Sequence, residues 1–168
     1  MHEFDEHLRA LLPRLRRFAL QLTREPASAD DLVQTCLERA LSRWSSRQPD
    51  GDLRAWLFTI LYRQFLAERR RARRFARLVE LFTGAEAAEP SPEAGTMARS
   101  ALDALARLPV EQRALLLLVG VEGLSYQEAA EALGVPVGTI MSRLSRARGA
   151  LRRLTEGDIA PAALRVVP

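Results

Sequence analysis

Lysine is absent from this 168-residue chain, cysteine occurs once, histidine occurs twice, and no apolar run approaches membrane-spanning length. Each absence excludes something. The lone Cys36 cannot build a disulfide framework or a cysteine-based metal site, and reads most simply as a small core residue. His2 and His7 both lie near the N-terminus, and no carboxylate pair or glycine-rich phosphate loop stands out. The chain is therefore not expected to be an enzyme or to hold a cofactor or metal. Acids and histidines stand where a signal peptide would carry basic and then apolar residues. A soluble, cytoplasmic protein without membrane insertion is expected.

All 25 basic residues are arginine. Arginine suits planar, bidentate contact with phosphate and guanine, although a GC-rich genome gives the same bias and is the simpler account. The net charge of +4 hides an uneven distribution. Residues 1–83 carry 16 arginines against 11 acids, and residues 99–168 carry nine arginines against seven acids. Between them, residues 84–98 hold three glutamates and no base. Small, acidic and proline-bearing, that stretch has the composition of a flexible linker. Two basic lobes flank an acidic connector.

Helical periodicity is nearly continuous and strand-like alternation is lacking, so the fold class is all-α: two small helical domains, the second a helix-turn-helix domain of winged-helix-like, DNA-binding type. The first helix is predicted over about residues 4–23, with Leu8, Leu11, Leu15, Phe18 and Leu22 inward and Pro13 as a kink or restart. A second begins at Pro26 and runs to about Trp44, followed by the polar loop Ser45 to Gly51. A third spans about residues 52–82. A fourth starts near Ser91, a fifth covers Val110 to Val121, and residues 155–168 form a tail.

The stretch from Leu124 to Arg148 is the most informative. Ser125 and Glu128 form a capping box, Gly134 ends that helix, and a second helix starts at Val137 after a Gly-Val-Pro turn. Ile140, Leu144, Ala147, Leu151 and Leu154 make its buried stripe. Gly138, Ser142, Ser145, Arg146 and Gly149 share the opposite face, where small residues permit close approach to a groove. Thr139, Ser142, Arg143, Ser145, Arg146 and Arg148 are the candidate duplex-reading residues. A second basic feature lies between Arg63 and Arg77, where seven arginines face a single Glu68. Like charges at that density repel unless an anion compensates them, which points to nucleic acid.

With both halves read, the chain resembles the small, two-domain alternative sigma factors of extracytoplasmic-function type, which direct bacterial RNA polymerase to stress promoters. The family's acidic pair and Leu-Val-Gln motif appears as Asp30, Asp31, Leu32, Val33 and Gln34, followed by Glu38, Arg39 and Ala40. Its Trp-Leu-Phe-x-Ile motif appears as Trp56, Leu57, Phe58 and Ile60, and Leu108, Pro109, Gln112 and Arg113 precede the helix-turn-helix. The resemblance covers about residues 8–154. It departs at Thr35, where relatives usually carry an acid, and at Gln64, where many carry asparagine.

The resemblance implies core polymerase docking through Asp30, Asp31, Leu32, Gln34 and Glu38. It implies recognition and melting of the promoter −10 element through Arg47, Arg63, Gln64, Arg69, Arg70, Arg71, Arg73 and Arg74 in residues 1–83. The −35 element would be read by the domain at residues 99–154. Promoter DNA, core RNA polymerase and an anti-sigma factor are the expected partners, and the free chain is expected to be a monomer. A 15-residue coil averages about 20–23 Å end to end, so core polymerase would have to hold the linker extended across the promoter. Two other readings remain open: a two-domain helix-turn-helix regulator that binds duplex DNA without polymerase, and an RNA-binding or purely structural helical protein.

Overall fold

The computed structural model describes residues 2–84 and 101–157, and every described element is helical. The linker, the start of the fourth helix at Ser91 and most of the expected tail lie outside the described residues.

Helix α1 (His2–Thr23) and helix α2 (Pro26–Ser42) form an antiparallel pair. Pro13 lies inside α1 without ending it, so neither a break nor a restart occurs there. The Pro13 side is exposed, where water can satisfy the carbonyl that proline leaves unpaired. Arg24 adopts a left-handed φ of 61° at the corner, and Glu25 caps α2 by accepting from the Ala27 and Ser28 amides. These bonds hold the exposed Glu25 carboxyl below its ordinary range.

The second helix stops at Ser42, and a 3₁₀ turn at Trp44–Ser46 leads into the polar loop. Asp52 caps helix α3 (Leu53–Thr83), which ends at left-handed Gly84. The first half of α3 buries Leu57, Phe58, Ile60, Leu61 and Phe65 against α1 and α2. Beyond residue 70 the helix leaves the core, with Phe75, Leu78 and Phe82 exposed.

Helix α4 (Ala101–Arg107), helix α5 (Val110–Leu116), helix α6 (Tyr126–Leu133) and helix α7 (Val137–Gly157) make up the second unit. Arg113 is buried at their base and donates to the carbonyls of Ala106 and Leu108. It ties the end of α4 to α5, and burial lowers its pKa. A π-helical turn, Leu117–Val121, follows α5, so the Glu122 amide donates to Leu117 five residues back. The expected fifth helix is therefore α-helical only in its first part.

The two units pack together. One apolar cluster joins Leu15, Phe18, Leu57 and Leu61 to Leu108, Leu117, Leu118 and Leu124. A smaller cluster of Leu115, Ala129, Ala130, Ile140 and Leu144 fixes α5, α6 and α7 to one another. No helix among the described residues is long and apolar enough to cross a membrane.

Cys36 is fully buried and its thiol donates to the Leu57 carbonyl at 3.5 Å. Burial pushes both the Cys36 thiol and the Tyr62 phenol up to about 12, the latter helped by the negative Glu111. The ordinary values are 9.0 and 10.0, so above pH 9 the unfolded chain releases protons that the folded chain keeps. Stability should therefore fall as pH rises through about 9 to 12. Urea midpoints measured from pH 8 upward check this, and Cys36→Ala should make the early part of the decline shallower.

Candidate nucleic-acid interface

The helix-turn-helix forms from local chemistry. The Ser125 hydroxyl accepts from the Glu128 amide at 3.1 Å while the Glu128 carboxylate accepts from the Ser125 amide at 2.7 Å. Gly134, at φ 67°, turns the chain, and the Val135 amide returns to the Ala130 carbonyl. The α7 stripe predicted to be buried is inward: Ile140, Leu144 and Ala147 are buried, Leu151 and Leu154 half-buried. Ser142, Arg143, Ser145, Arg146 and Arg148 are exposed, with Thr139 half-buried at the start of the helix. Gly138 is exposed with open space where a Cβ would sit, so that end of the face is flat. Gly149, expected on the same face, is half-buried.

The arginine-rich surface of α3 is less uniform than its sequence suggested. Arg70, Arg71, Arg73 and Arg74 are exposed. Arg63 donates to the Glu131 carbonyl at the end of α6, and Arg69 pairs with Glu111 of α5 at 2.9 Å. Gln64, expected at the −10 surface, is not exposed there. It is only 5 % exposed, and its amide donates to Glu68 at 2.6 Å because α3 turns that position inward beside Phe65. Arg47 is likewise occupied. Its guanidinium stacks over Trp44 at 4.8 Å and donates to the carbonyls of Gly51 and Pro49, so it braces the loop.

A separate groove lies between α1 and α2, an open cavity of about 540 Å³ with Leu12, Leu37 and Leu41 at its floor and rim. Asp30, Gln34 and Glu38 border it, and Asp31 is exposed on the same helix. Arg16 reaches across to Asp30 with contacts of 2.6 and 3.3 Å, which holds the Asp30 carboxyl below its ordinary range. Gln34 donates to Glu38 one turn on at 3.0 Å. Leu32, expected at the docking face, is 1 % exposed and belongs to the core beneath it.

Sequence reasoning missed the contacts between the two units. Arg14 of α1 pairs at 2.7 Å with Glu122, which is buried, and Arg54 donates to the Gly123 carbonyl at 3.4 Å. A glutamate inside an otherwise apolar run was the one available signal. Among the described residues no cluster of histidine, cysteine or acids could hold a metal.

Residues 8–62 match the family described as the Sigma2 domain of PhyR, and residues 98–151 match Sigma-70, region 4. The ECF RNA polymerase sigma factor EcfG of Rhodopseudomonas palustris is 44 % identical over 156 residues, covering 89 % of this chain and 83 % of that protein. The ECF RNA polymerase sigma factor SigL of Mycobacterium tuberculosis is 37 % identical, covering 89 % of this chain and 84 % of its own length. Among solved structures, the sigma factor RpoE in complex with the anti-sigma factor NepR from Bartonella quintana superposes with a TM-score of 0.74 at 36 % identity, covering 93 % of this chain and 98 % of that one. Two helical units in the sigma order, a capped helix-turn-helix and full-length relatives converge: the chain belongs to the ECF sigma factors, which direct core RNA polymerase to promoters to initiate transcription.

Proposed function

We propose a division of labour within this sigma factor. Residues 1–83 bind core polymerase and open the −10 element, and residues 99–154 read the −35 element as duplex. The observation that carries the second assignment is the exposed face of α7, where Ser142, Ser145, Arg146 and Arg148 project from a helix rigidly held by its capped neighbour. Serines and glycine allow close approach to the major groove, and arginines there meet guanine edges or phosphates.

Exposed Arg70, Arg71, Arg73 and Arg74 supply the charge that holds a separated strand, because unstacking a base costs a few kcal/mol that backbone contacts must offset. The groove edged by Asp30, Gln34 and Glu38, with Asp31 exposed on the same helix, is the docking face for polymerase, with Leu32 supporting it from beneath. The protein works as a non-catalytic regulator in the cytoplasm, where its polymerase and promoters are, and serves stress promoters. Its regulator is an anti-sigma factor of NepR type, a reading supported by the likeness to the NepR-bound RpoE and by the match to the Sigma2 domain of PhyR, an anti-anti-sigma factor solved in complex with NepR.

That last match also favours a second reading, in which the chain is a sigma mimic that only sequesters an anti-sigma factor. Run-off transcription on genomic fragments separates the two. Core polymerase plus this chain should yield discrete transcripts; binding of an anti-sigma factor with no transcripts would favour the mimic. In the same assay Glu38→Arg should lower apparent affinity for core polymerase about tenfold or more, by placing like charge on a docking face. Unchanged affinity would remove Glu38 from that face.

A further inference from the structure

The last turns of α3 carry an apolar face that the functions assigned above leave unused. Residues 70–83 run beyond the core for about 21 Å. Phe75 is 67 % exposed and Phe82 88 %, with Leu78 and Val79 exposed between them. Large apolar side chains at offsets of 0, 3, 4 and 7 are the pattern by which a helix buries one face, yet the chain leaves this face open to solvent.

The opposite face is cationic. At about 100° per residue, Arg70, Arg73, Arg74 and Arg77 fall across the helix from Phe75, Leu78, Val79 and Phe82, and all four arginines are exposed. Arg71 enters the apolar side only at its N-terminal end, and Leu81 sits among the arginines. Glu80 is the single acid in the segment.

An occupant has to satisfy both faces at once. A nucleic-acid strand tracking the arginines leaves Leu78 and Val79 in water, and aliphatic side chains give bases no platform to stack on. A second copy would cover the apolar face but set arginine rows of like sign side by side. A bilayer surface carrying anionic lipid fits both. The apolar side enters the boundary between head groups and acyl chains, while the flanking arginines snorkel to the phosphates. A helix bound in this way lies in the plane of the membrane and needs no spanning length.

We propose that residues 70–83 of α3 dock on an anionic lipid surface, with Phe75, Leu78, Val79 and Phe82 buried at the head-group boundary. The consequence for transcription rests on the functional reading above. Arg70, Arg71, Arg73 and Arg74 are the side chains assigned to the −10 strand, so a chain lying on lipid cannot hold that strand at the same time. Membrane and promoter then compete for one helix.

Co-sedimentation of the full chain with vesicles tests the docking. Wild type should sediment with vesicles of equal parts phosphatidylcholine and phosphatidylglycerol, not with phosphatidylcholine alone, and added salt should weaken the binding. The double variant Leu78→Gln, Phe82→Gln removes apolar area at two exposed positions without altering charge. Its apparent affinity for the mixed vesicles should fall about tenfold or more. Phe75→Gln provides an independent second variant. In run-off transcription without lipid the double variant should match wild type; mixed vesicles should suppress transcripts from wild type and spare the variant.

The docking is overturned if wild type ignores the mixed vesicles, if neutral vesicles bind it equally, or if the variants sediment as wild type does, which would leave charge alone at work. Loss of transcription by the double variant in the absence of lipid would assign the face to polymerase or DNA and overturn it as well. Sedimentation needs no polymerase, so a chain that yields no transcripts at all would sink the sigma reading while the lipid result still stood.

Discussion

Arg146→Ala is expected to weaken binding to the −35 element by about 1–3 kcal/mol and to relax preference at a single base pair. Arg146 is exposed on α7, one turn on from Ser142 and beside Ser145. An arginine placed there can donate two bonds to one guanine, and its loss removes information as well as charge. Arg70→Ala is expected to differ in kind. Arg70 stands exposed on an arginine-rich helix, and if it meets phosphates as proposed, all promoters should weaken alike and the salt dependence should become shallower. A panel of −35 variants titrated at two salt concentrations distinguishes the two behaviours. Unchanged base preference after Arg146→Ala would remove it from the reading face.

What could be read in advance was what is local in sequence. Ser125, Glu128 and Gly134 specify a cap and a stop within ten residues, and their bonds form as the spacing implies. The Ile140, Leu144 and Ala147 stripe follows from helical period alone. Motif membership was a poorer guide to what a side chain touches. Leu32 and Gln64 sit inside recognisable motifs yet are buried, because the facing of a residue depends on which neighbouring helix covers it. Arg47 was expected at the −10 element, and Trp44 three residues earlier offers an aromatic face on which its guanidinium stacks.

The domain contact was the least legible feature. Arg14 and Glu122 are 108 positions apart, and nothing local to either residue predicts the pair. An acidic linker between two basic lobes suggested independent units, whereas the continuous apolar cluster makes them one closed body in the free chain. Leu117, Leu118 and Leu124 are buried in that contact.

The largest stability effect should come from Leu144→Ala. Leu144 is 2 % exposed and shares the smaller cluster with Leu115, Ala129, Ala130 and Ile140. Two of those partners are alanines, which cannot reach into the space a truncated Leu144 would leave. Large-to-small changes at such sites cost about 2–5 kcal/mol, a substantial share of the 5–15 kcal/mol that holds a typical domain folded. For a chain of this length that corresponds to a fall in Tm of roughly 5–20 °C. Because the same cluster sets how α7 sits on α5 and α6, the reading face should be displaced even where the fold survives. Affinity for −35 duplex should then fall further than affinity for core polymerase, whose proposed docking groove lies between α1 and α2 on the larger cluster. Met141→Ala, at a neighbouring exposed position on α7, should change stability by no more than about 0.5 kcal/mol. Calorimetry of both variants, with −35 binding and polymerase competition measured on each, provides the check. Equal losses of duplex and polymerase affinity in Leu144→Ala would mean that the two halves unfold as one cooperative unit, and that the smaller cluster does not separately govern the reading helix.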